Sequence, residues 1–404
     1  MMSMNAVSII TMVNPLNYRH KVCPLPHTLT MSRPTLGNWM QQPHLRWSFT
    51  HVREIIPTAQ VDPPLAMRAL HTRTKPEIAN VVFESSTGKQ KIADFLANSE
   101  SDALVVVKGD ELLFEWHTSG MKDMHPHLIF SVTKSVTALI AGALISAGKL
   151  KADAPITDYV PEVAGSGFGN ATVRNLLDMT ISIEFVEDYT PGQDVIDYRT
   201  STGWFPAESD SKMLHAFLAS RKPEGEHGKK FRYLSPATDM LGWVIENASG
   251  LSYAEALSQF IWQPMGAEFP AHMTVNREGS PRAAGGLSVT TRDMARIGML
   301  VRDGGMGSVS KDFIEDIFHG GSHELWAVGD FKDVFVDGVY RSCFYRPGVD
   351  PDVVMGIGIH GQMLYIDRPR GVVVAKQSSW SNPDEEVDHN DAYLACQAIA
   401  RSLG

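Results

Sequence analysis

Cysteine is scarce in this sequence, and clustered basic residues and long apolar runs are lacking. The 404-residue chain has three cysteines, Cys23, Cys343 and Cys396, which stand far apart and form no Cys-x-x-Cys pair. This spacing argues against a disulfide framework and a thiolate zinc site, and it is typical of a reducing compartment. The N-terminal apolar stretch, residues 6–13, is too short for a membrane span and lacks the preceding basic residues of a secretory signal. We therefore predict a cytoplasmic protein.

The net charge and the absence of several known motifs exclude further classes of function. The net charge is −10 and no run of Lys and Arg occurs, so neither a nucleic acid nor an anionic membrane is an expected partner. The sequence has no Gly-x-Ser-x-Gly elbow and no His-Glu-x-x-His motif, and its fifteen histidines form no pattern of metal ligands. We predict an ordinary globular protein without a metal or a cofactor.

The pattern of apolar residues predicts a sheet assembled from both ends of the chain. Residues 103–108 and 111–116 are β-prone runs joined by a Gly-Asp turn, and 362–367 and 371–377 are two further strand-like runs. Helices are expected at 131–147, 290–304 and 391–402, and the region 153–282 has a mainly helical character with few strand patterns. The predicted fold is α+β, an antiparallel sheet flanked by helices with an inserted, mostly helical domain.

The same pattern gives the expected domain boundaries. Residues 35–152 and 283–404 form a discontinuous α/β domain, and residues 153–282 form the helical one. Residues 1–34 contain several prolines and methionines, and we interpret them as a flexible leader. Alternatively, the start of the sequence is placed too early, and the true initiating methionine is Met31.

Ser-x-x-Lys is the motif with the most chemical content, because residues i and i+3 are neighbours on a helix and an amine there reaches the hydroxyl. The sequence holds six copies, and only Ser131–Lys134 opens a helix followed by a dozen uncharged residues. An apolar environment lowers a lysine pKa toward values at which the neutral amine accepts a proton. The alternative is a serine N-cap with a lysine side chain that extends into solvent.

Two other segments offer partners for this pair. Tyr233, before a predicted helix, is a candidate for an acid/base relay, although a lone tyrosine is also a common packing residue. Residues 356–361 match the Gly-x-Gly-x-x-Gly dinucleotide motif, but a strand-like run follows where that motif requires a helix. We interpret them as a bare-backbone strand beside a pocket or, alternatively, as a packed core strand.

In this order and spacing, the three segments resemble the class C branch of the serine β-lactamase and penicillin-binding-protein superfamily, and within it the 6-aminohexanoate-dimer hydrolases. The likeness extends from about residue 35 to the C-terminus, through residues 39–61, 187–189, 320–324 and 356–362. It implies a β-lactamase/transpeptidase-like fold. It also implies that Ser131 is the acylated nucleophile, Lys134 its base and Tyr233 the proton shuttle.

The resemblance further implies substrate contacts. The N–H groups of Ser131 and Ile359 would form the oxyanion hole, Tyr189 would contact the scissile nitrogen, and the strand around Ile359 would approach the substrate. The set of expected oxyanion and substrate-binding residues is Ile359, Tyr189, Gly358, His360, Tyr198 and Ala284.

This chain also departs from the family pattern. The superfamily's Lys-Thr-Gly strand is Gly356-Ile357-Gly358 here, which predicts negligible β-lactamase activity. Tyr198 stands where an acidic residue is expected to meet a substrate ammonium, with Asp194 or Asp197 as substitutes, and Ala284 replaces a larger polar residue.

The expected activity is therefore hydrolysis of a small-molecule amide or short-chain ester. The alternatives are a carboxylesterase with little amidase activity and a non-catalytic binding protein, and a homodimer is left open.

Overall fold

A mixed sheet of eight strands organises the described part of the chain. The structure is a computed structural model that describes residues 33–187, 192–384 and 386–404. The strands in it are β1 Thr58–Val61, β2 His71–Thr72, β3 Val82–Ser85, β4 Gly88–Lys91, β5 Ser101–Lys108, β6 Glu111–His117, β7 His127–Leu128, β8 Ala271–Thr274, β9 Leu287–Val289, β10 Val339–Arg341, β11 Phe344–Arg346, β12 Val353–Gly358, β13 Gln362–Asp367 and β14 Val372–Ser378. The large sheet has the order β10-β11-β12-β13-β14-β5-β6-β2.

The helices of the same ranges are mostly short. They are α1 Leu45–Thr50, α2 Ile92–Asn98, α3 Val132–Ser146, α4 Val173–Leu177, α5 Gln193–Ser201, α6 Leu214–Ala219, α7 Ser235–Ser249, α8 Tyr253–Leu257, α9 Thr291–Arg302, α10 Lys311–His319, α11 His323–Ala327 and α12 Glu386–Ser402. None of the helices in the described ranges is long and apolar enough to cross a lipid bilayer.

The prediction of a sheet built from both ends of the chain is confirmed. Strand β14 pairs antiparallel with β5, with Val372 opposite Lys108, and this pairing joins the late strands to the early hairpin. Every residue of β14 is buried, so both faces of the sheet are covered there. Helices α9 and α12 pack on β13 and β14, and a Cβ atom on Gly298 of α9 would lie 2.5 Å from Val373, so glycine permits the close approach.

A second, four-stranded sheet with the order β1-β8-β9-β7 is not foreseen in the sequence. Its strands have four residues or fewer, which is too short to show an alternating pattern. The described residues from Pro34 onward belong to one compact unit, and its division into two domains stays a prediction.

Helix α3 carries the main candidate motif into the interior. It is the apolar helix expected from the sequence, and it packs against β12 on one side and α7 on another. Its thirteen residues from Val132 to Leu144 are all buried. The start of α3 therefore lies where the end of β12 and the start of α7 meet.

Candidate active site

Ser131 and Lys134 lie at the start of α3, and their side chains are in contact. Lys134 Nζ donates a hydrogen bond to Ser131 Oγ at 2.7 Å and a second one to the carbonyl oxygen of Ala284 at 2.8 Å. Ser131 is the N-cap residue of α3, but its side chain makes no capping hydrogen bond. The alternative of a capping serine with a solvated lysine is thus wrong, since Lys134 is only 1% exposed.

The environment of Lys134 makes its neutral form more accessible than in an exposed lysine. Burial lowers the pKa of the ammonium group to about 8, against an opposing effect of the Glu187 carboxylate. The Nζ atom also lies 4.8 Å from the centre of the Tyr233 ring. A substantial fraction of neutral amine is therefore present near physiological pH, hydrogen-bonded to the hydroxyl of Ser131.

Tyr233 lies just before α7, and its side chain contacts both Ser131 and Lys134. Burial raises the pKa of its phenol far above the usual value, while hydrogen bonds with Ser131 and Tyr345 act in the opposite direction. Its backbone N–H donates to Asp330 Oδ2 at 3.0 Å, which fixes the turn before the helix. The resting phenol is therefore protonated, which suits a proton donor.

The end of β12 approaches Ser131 closely. A Cβ atom on Gly358 would lie 2.7 Å from the Ile129 carbonyl oxygen and 3.0 Å from the Ser131 backbone nitrogen. Beyond Gly358 the chain turns through a 3₁₀ segment, Ile359–Gly361, and continues as β13. This confirms that a strand follows the Gly-x-Gly-x-x-Gly segment, and it explains why glycine is needed beside Ser131.

A buried ionic network supports Lys134 from behind. Asp239 of α7 accepts a hydrogen bond from the Ala284 N–H at 2.8 Å and from Tyr198 Oη at 2.6 Å, and it pairs with Arg282. Arg282 also donates to Tyr198. Ala284 therefore links the two side chains, since its N–H binds Asp239 and its carbonyl oxygen binds Lys134, and this link helps to position the amine.

Tyr198 and Ala284 line the small cavity, and both also take part in the hydrogen-bond network around Asp239. Tyr198 is 2% exposed, and its hydroxyl is engaged by Asp239 and Arg282. The two acidic substitutes point elsewhere, since Asp194 pairs with Arg221 and Asp197 accepts from Gln193.

His360 and Tyr189 complete the set of predicted residues. The His360 ring is 2% exposed, is hydrogen-bonded to the Trp380 carbonyl at 2.6 Å and packs on Phe49 and Phe130. It lies behind the turn that carries Ile359, and it lines neither of the cavities at Ser131. Tyr189 falls in residues 188–191, outside the described residues.

Two cavities meet at Ser131. The small cavity, about 30 Å³, is lined by Tyr198, Arg199, Arg282, Ala284 and Glu187 among others, and the large cavity, about 500 Å³, extends on the side of Tyr233. Ser131 and Ile359 line both of them. A ligand that occupied both cavities would therefore pass over Ser131.

Comparisons with known proteins agree with this geometry. The model of the family described as Beta-lactamase matches residues 89–399. The chain is also 36% identical over 366 residues to the 6-aminohexanoate-dimer hydrolase of Paenarthrobacter ureafaciens, an alignment that covers 87% of this chain and 89% of that protein. The chain belongs to the β-lactamase family. The resemblance inferred from the sequence is thereby confirmed.

Two more similar proteins bear on the fold and the chemistry. A solved structure from Bacillus anthracis, described as a candidate 6-aminohexanoate-dimer hydrolase, superposes with a TM-score of 0.83 at 25% identity and covers 91% of this chain and 97% of that one. The esterase EstB of Burkholderia gladioli is 27% identical over 208 residues, which is 46% of this chain and 49% of that protein. The predicted α+β fold is confirmed.

Sequence reasoning on this β-lactamase-family chain missed several residues of the site. Glu187 accepts hydrogen bonds from the N–H of Ser235 at 2.8 Å and from its hydroxyl at 2.6 Å, and it lines the small cavity. Asp239 and Arg282 were not foreseen as a pair. Asp239 is the one charged residue in the stretch 235–245, which is a usable signal in the sequence, but its pairing with Arg282 depends on the tertiary fold.

Proposed function

We propose that this protein is a serine hydrolase that cleaves linear amides or short-chain esters through an acyl-enzyme on Ser131. The observation that carries the proposal is the 2.7 Å hydrogen bond between a buried lysine amine and the hydroxyl of Ser131. The 36% identity to a 6-aminohexanoate-dimer hydrolase supports the choice of a linear amide.

The proposed reaction begins with proton transfer from Ser131. The neutral amine of Lys134 accepts the hydroxyl proton while Oγ attacks the substrate carbonyl carbon. The oxyanion that forms accepts hydrogen bonds from the N–H groups of Ser131 and Ile359, which lie on the two elements that meet here. Tyr233, hydrogen-bonded to Ser131, then donates a proton to the leaving atom and takes it back from its neighbour Lys134. A water molecule then attacks the carbonyl carbon of the acyl-enzyme and gives a proton to Tyr233 and Lys134, which return it to Ser131 Oγ as the bond between Oγ and the acyl carbon breaks.

A carboxylesterase with little amidase activity is the second candidate function. The esterase EstB of Burkholderia gladioli is among the similar proteins. Both functions use the same acyl-enzyme, so only the leaving group separates them. The cytoplasmic location and a homodimer stay predictions.

A fluorophosphonate probe distinguishes an enzyme from a non-catalytic binding protein. We expect covalent labelling of the wild type and none of Ser131→Ala. Ser119→Ala is a matched control, because Ser119 begins another Ser-x-x-Lys copy and is exposed. An unlabelled wild type would contradict the proposal.

Hydrolysis of three substrates then separates the two functions. Rates on the 6-aminohexanoate linear dimer, p-nitrophenyl acetate and p-nitrophenyl butyrate are compared, with Ser131→Ala as background. Turnover of the dimer supports the amidase, and turnover of the esters alone supports the carboxylesterase.

A further inference from the structure

The turn between β12 and β13 carries Ile359, the second expected oxyanion donor, and its backbone is unusual. His360 and Gly361 both lie in the left-handed region, with φ of +59° and +87°. Glycine adopts this conformation freely, whereas a histidine keeps it only where the surrounding structure holds it there. The contacts that hold this turn therefore bear on the position of the Ile359 N–H group.

The side chain of Gln362 makes most of these contacts. It is 0% exposed, and its Nε2 atom donates to the carbonyl oxygens of Ser378 at 2.7 Å and of His360 at 3.0 Å. The same nitrogen lies 3.4 Å from the carbonyl oxygen of Ile359. In the opposite direction, Gln362 Oε1 accepts a hydrogen bond from the Ser378 N–H at 3.3 Å. One amide group thus ties the turn to the end of β14.

This amide takes the place of strand pairing at that end of the sheet. The pairing of β13 with β14 begins at Met363, opposite Lys376, and β14 has an irregular register between Gln377 and Ser378. Ser378 is buried, so the backbone groups that it turns toward β13 need a hydrogen-bond partner. The Gln362 side chain supplies one for its N–H and one for its carbonyl oxygen.

The same residue holds Ile359 from both sides. The peptide group before Ile359 bears its N–H, and this group follows Gly358, which is extended and pairs with the backbone of Gln362. The two peptide groups after Ile359 are held at their carbonyl oxygens by the Gln362 side chain. Because each peptide group is planar and rigid, fixing the groups on both sides of a residue fixes the direction of its N–H.

We infer that Gln362 is a positioning residue of the oxyanion hole, which holds the turn at Ile359–Gly361 in the conformation that presents the Ile359 N–H beside Ser131. Gln362 is not among the described residues that line either cavity, so it acts through the backbone and not on the substrate. The inference rests on the proposed function, because the oxyanion forms only in that reaction.

Gln362→Met tests the inference, with Gln377→Met as its matched control. Methionine has a similar length but none of the amide's hydrogen bonds. Gln377 is also 0% exposed, and its amide binds the Val289 carbonyl oxygen at 3.1 Å and the Thr291 hydroxyl at 2.7 Å. For p-nitrophenyl acetate we expect kcat/KM to fall about 10²-fold in Gln362→Met and by less than about twofold in Gln377→Met.

Inhibition by phenylboronic acid gives a readout that a general loss of stability does not move. The Ser131 oxygen adds to the boron atom, and the tetrahedral adduct places an oxygen where the oxyanion forms. We expect the inhibition constant to rise about tenfold or more in Gln362→Met, measured below the unfolding temperature, and to stay unchanged in Gln377→Met. The midpoint of the pH profile stays at the wild-type value in both variants, since Lys134 is untouched.

Gln362→Glu decides the question if Gln362→Met gives no cooperative unfolding curve. A protonated glutamic acid has the same shape but offers one O–H in place of two N–H donors, so we expect a smaller loss, about tenfold, in both readouts.

The outcomes separate the inference from the function it rests on. A folded Gln362 variant with the wild-type kcat/KM and inhibition constant, or losses of equal size in Gln377→Met, overturns the inference and leaves the hydrolase assignment intact. A wild type that hydrolyses no ester and binds no fluorophosphonate overturns the proposed function itself.

Discussion

Lys134 determines the pH dependence expected of the reaction. Burial lowers its pKa to about 8, and only the neutral amine accepts a proton from Ser131. We therefore expect kcat/KM for p-nitrophenyl acetate to rise with pH and to level off above about 8, because the inactive ammonium form prevails below that value. A profile that is flat between about pH 6 and 9 would contradict this role for Lys134.

Tyr233 is expected to matter more for amides than for activated esters. Its raised pKa keeps the phenol protonated, and an amine leaving group needs that proton whereas p-nitrophenolate departs without one. For Tyr233→Phe we expect turnover of the 6-aminohexanoate dimer to fall about 10²–10³-fold and that of p-nitrophenyl acetate to fall much less. Equal losses on both substrates would assign Tyr233 a purely structural role.

Single residues show how far sequence reasoning reaches. Ser131 and Lys134 are three positions apart on one helix, so local periodicity suffices to pair them. Asp239 and Arg282 come from separate segments and meet only in the folded chain, and no spacing rule joins them. His360 was expected to bind substrate, but the left-handed backbone at that residue, φ +59°, belongs to the turn that buries its ring beneath Ile359.

At the scale of an element, β12 is the part of the site most sensitive to added bulk. A methyl group on Gly358 would press on the Ile129 carbonyl and the Ser131 nitrogen, which is an expected oxyanion donor. We expect Gly358→Ala to lower kcat/KM by about 10²-fold, since removing one oxyanion donor costs that much or more. The measurement is steady-state hydrolysis of p-nitrophenyl acetate, together with a thermal unfolding curve.

Gly165→Ala is the control for this substitution. No atom lies within 4 Å of the Cβ position at Gly165, so the same methyl group meets open space there. An active Gly358→Ala variant with a normal unfolding curve would show that β12 tolerates the bulk and that the oxyanion donor lies elsewhere.

The length of an element explains which ones could be predicted. The β5–β6 hairpin and α3 have seven or more residues each, enough for a pattern to appear, and they lie where the sequence places them. The strands β7 and β9 have two and three residues and take their conformation from their neighbours. The second sheet therefore becomes visible only in the folded chain.

For the molecule as a whole, we expect negligible hydrolysis of β-lactams despite membership of the β-lactamase family. The superfamily's Lys-Thr-Gly strand is Gly356-Ile357-Gly358 here, and a Cβ atom on Gly356 would lie 3.0 Å from Ser135 Oγ, so a larger residue there requires the Ser135 side chain to shift. The strand lacks the cation that grips a β-lactam carboxylate. Rapid turnover of nitrocefin, with p-nitrophenyl acetate as a positive control, would contradict this expectation.

The fold class was predictable because three motifs in a fixed order resemble one superfamily over most of the chain. The substrate was not, because the two cavity walls are assembled from segments that are distant in sequence. The wall around Asp330 and Asp384, for example, joins the stretch before β10 to the stretch before α12. Such walls follow from tertiary packing and leave no local pattern.

The sheet order has a consequence for how the protein is made. Ser131 and Lys134 leave the ribosome early, but the strand that completes their surroundings, β12, joins the early hairpin through β13 and β14. A nascent chain that has not yet extruded β14 lacks this strand pairing and carries its serine without an oxyanion site. On the proposed function, the serine hydrolase activity is therefore expected only after β14 has been synthesised and has paired with β5.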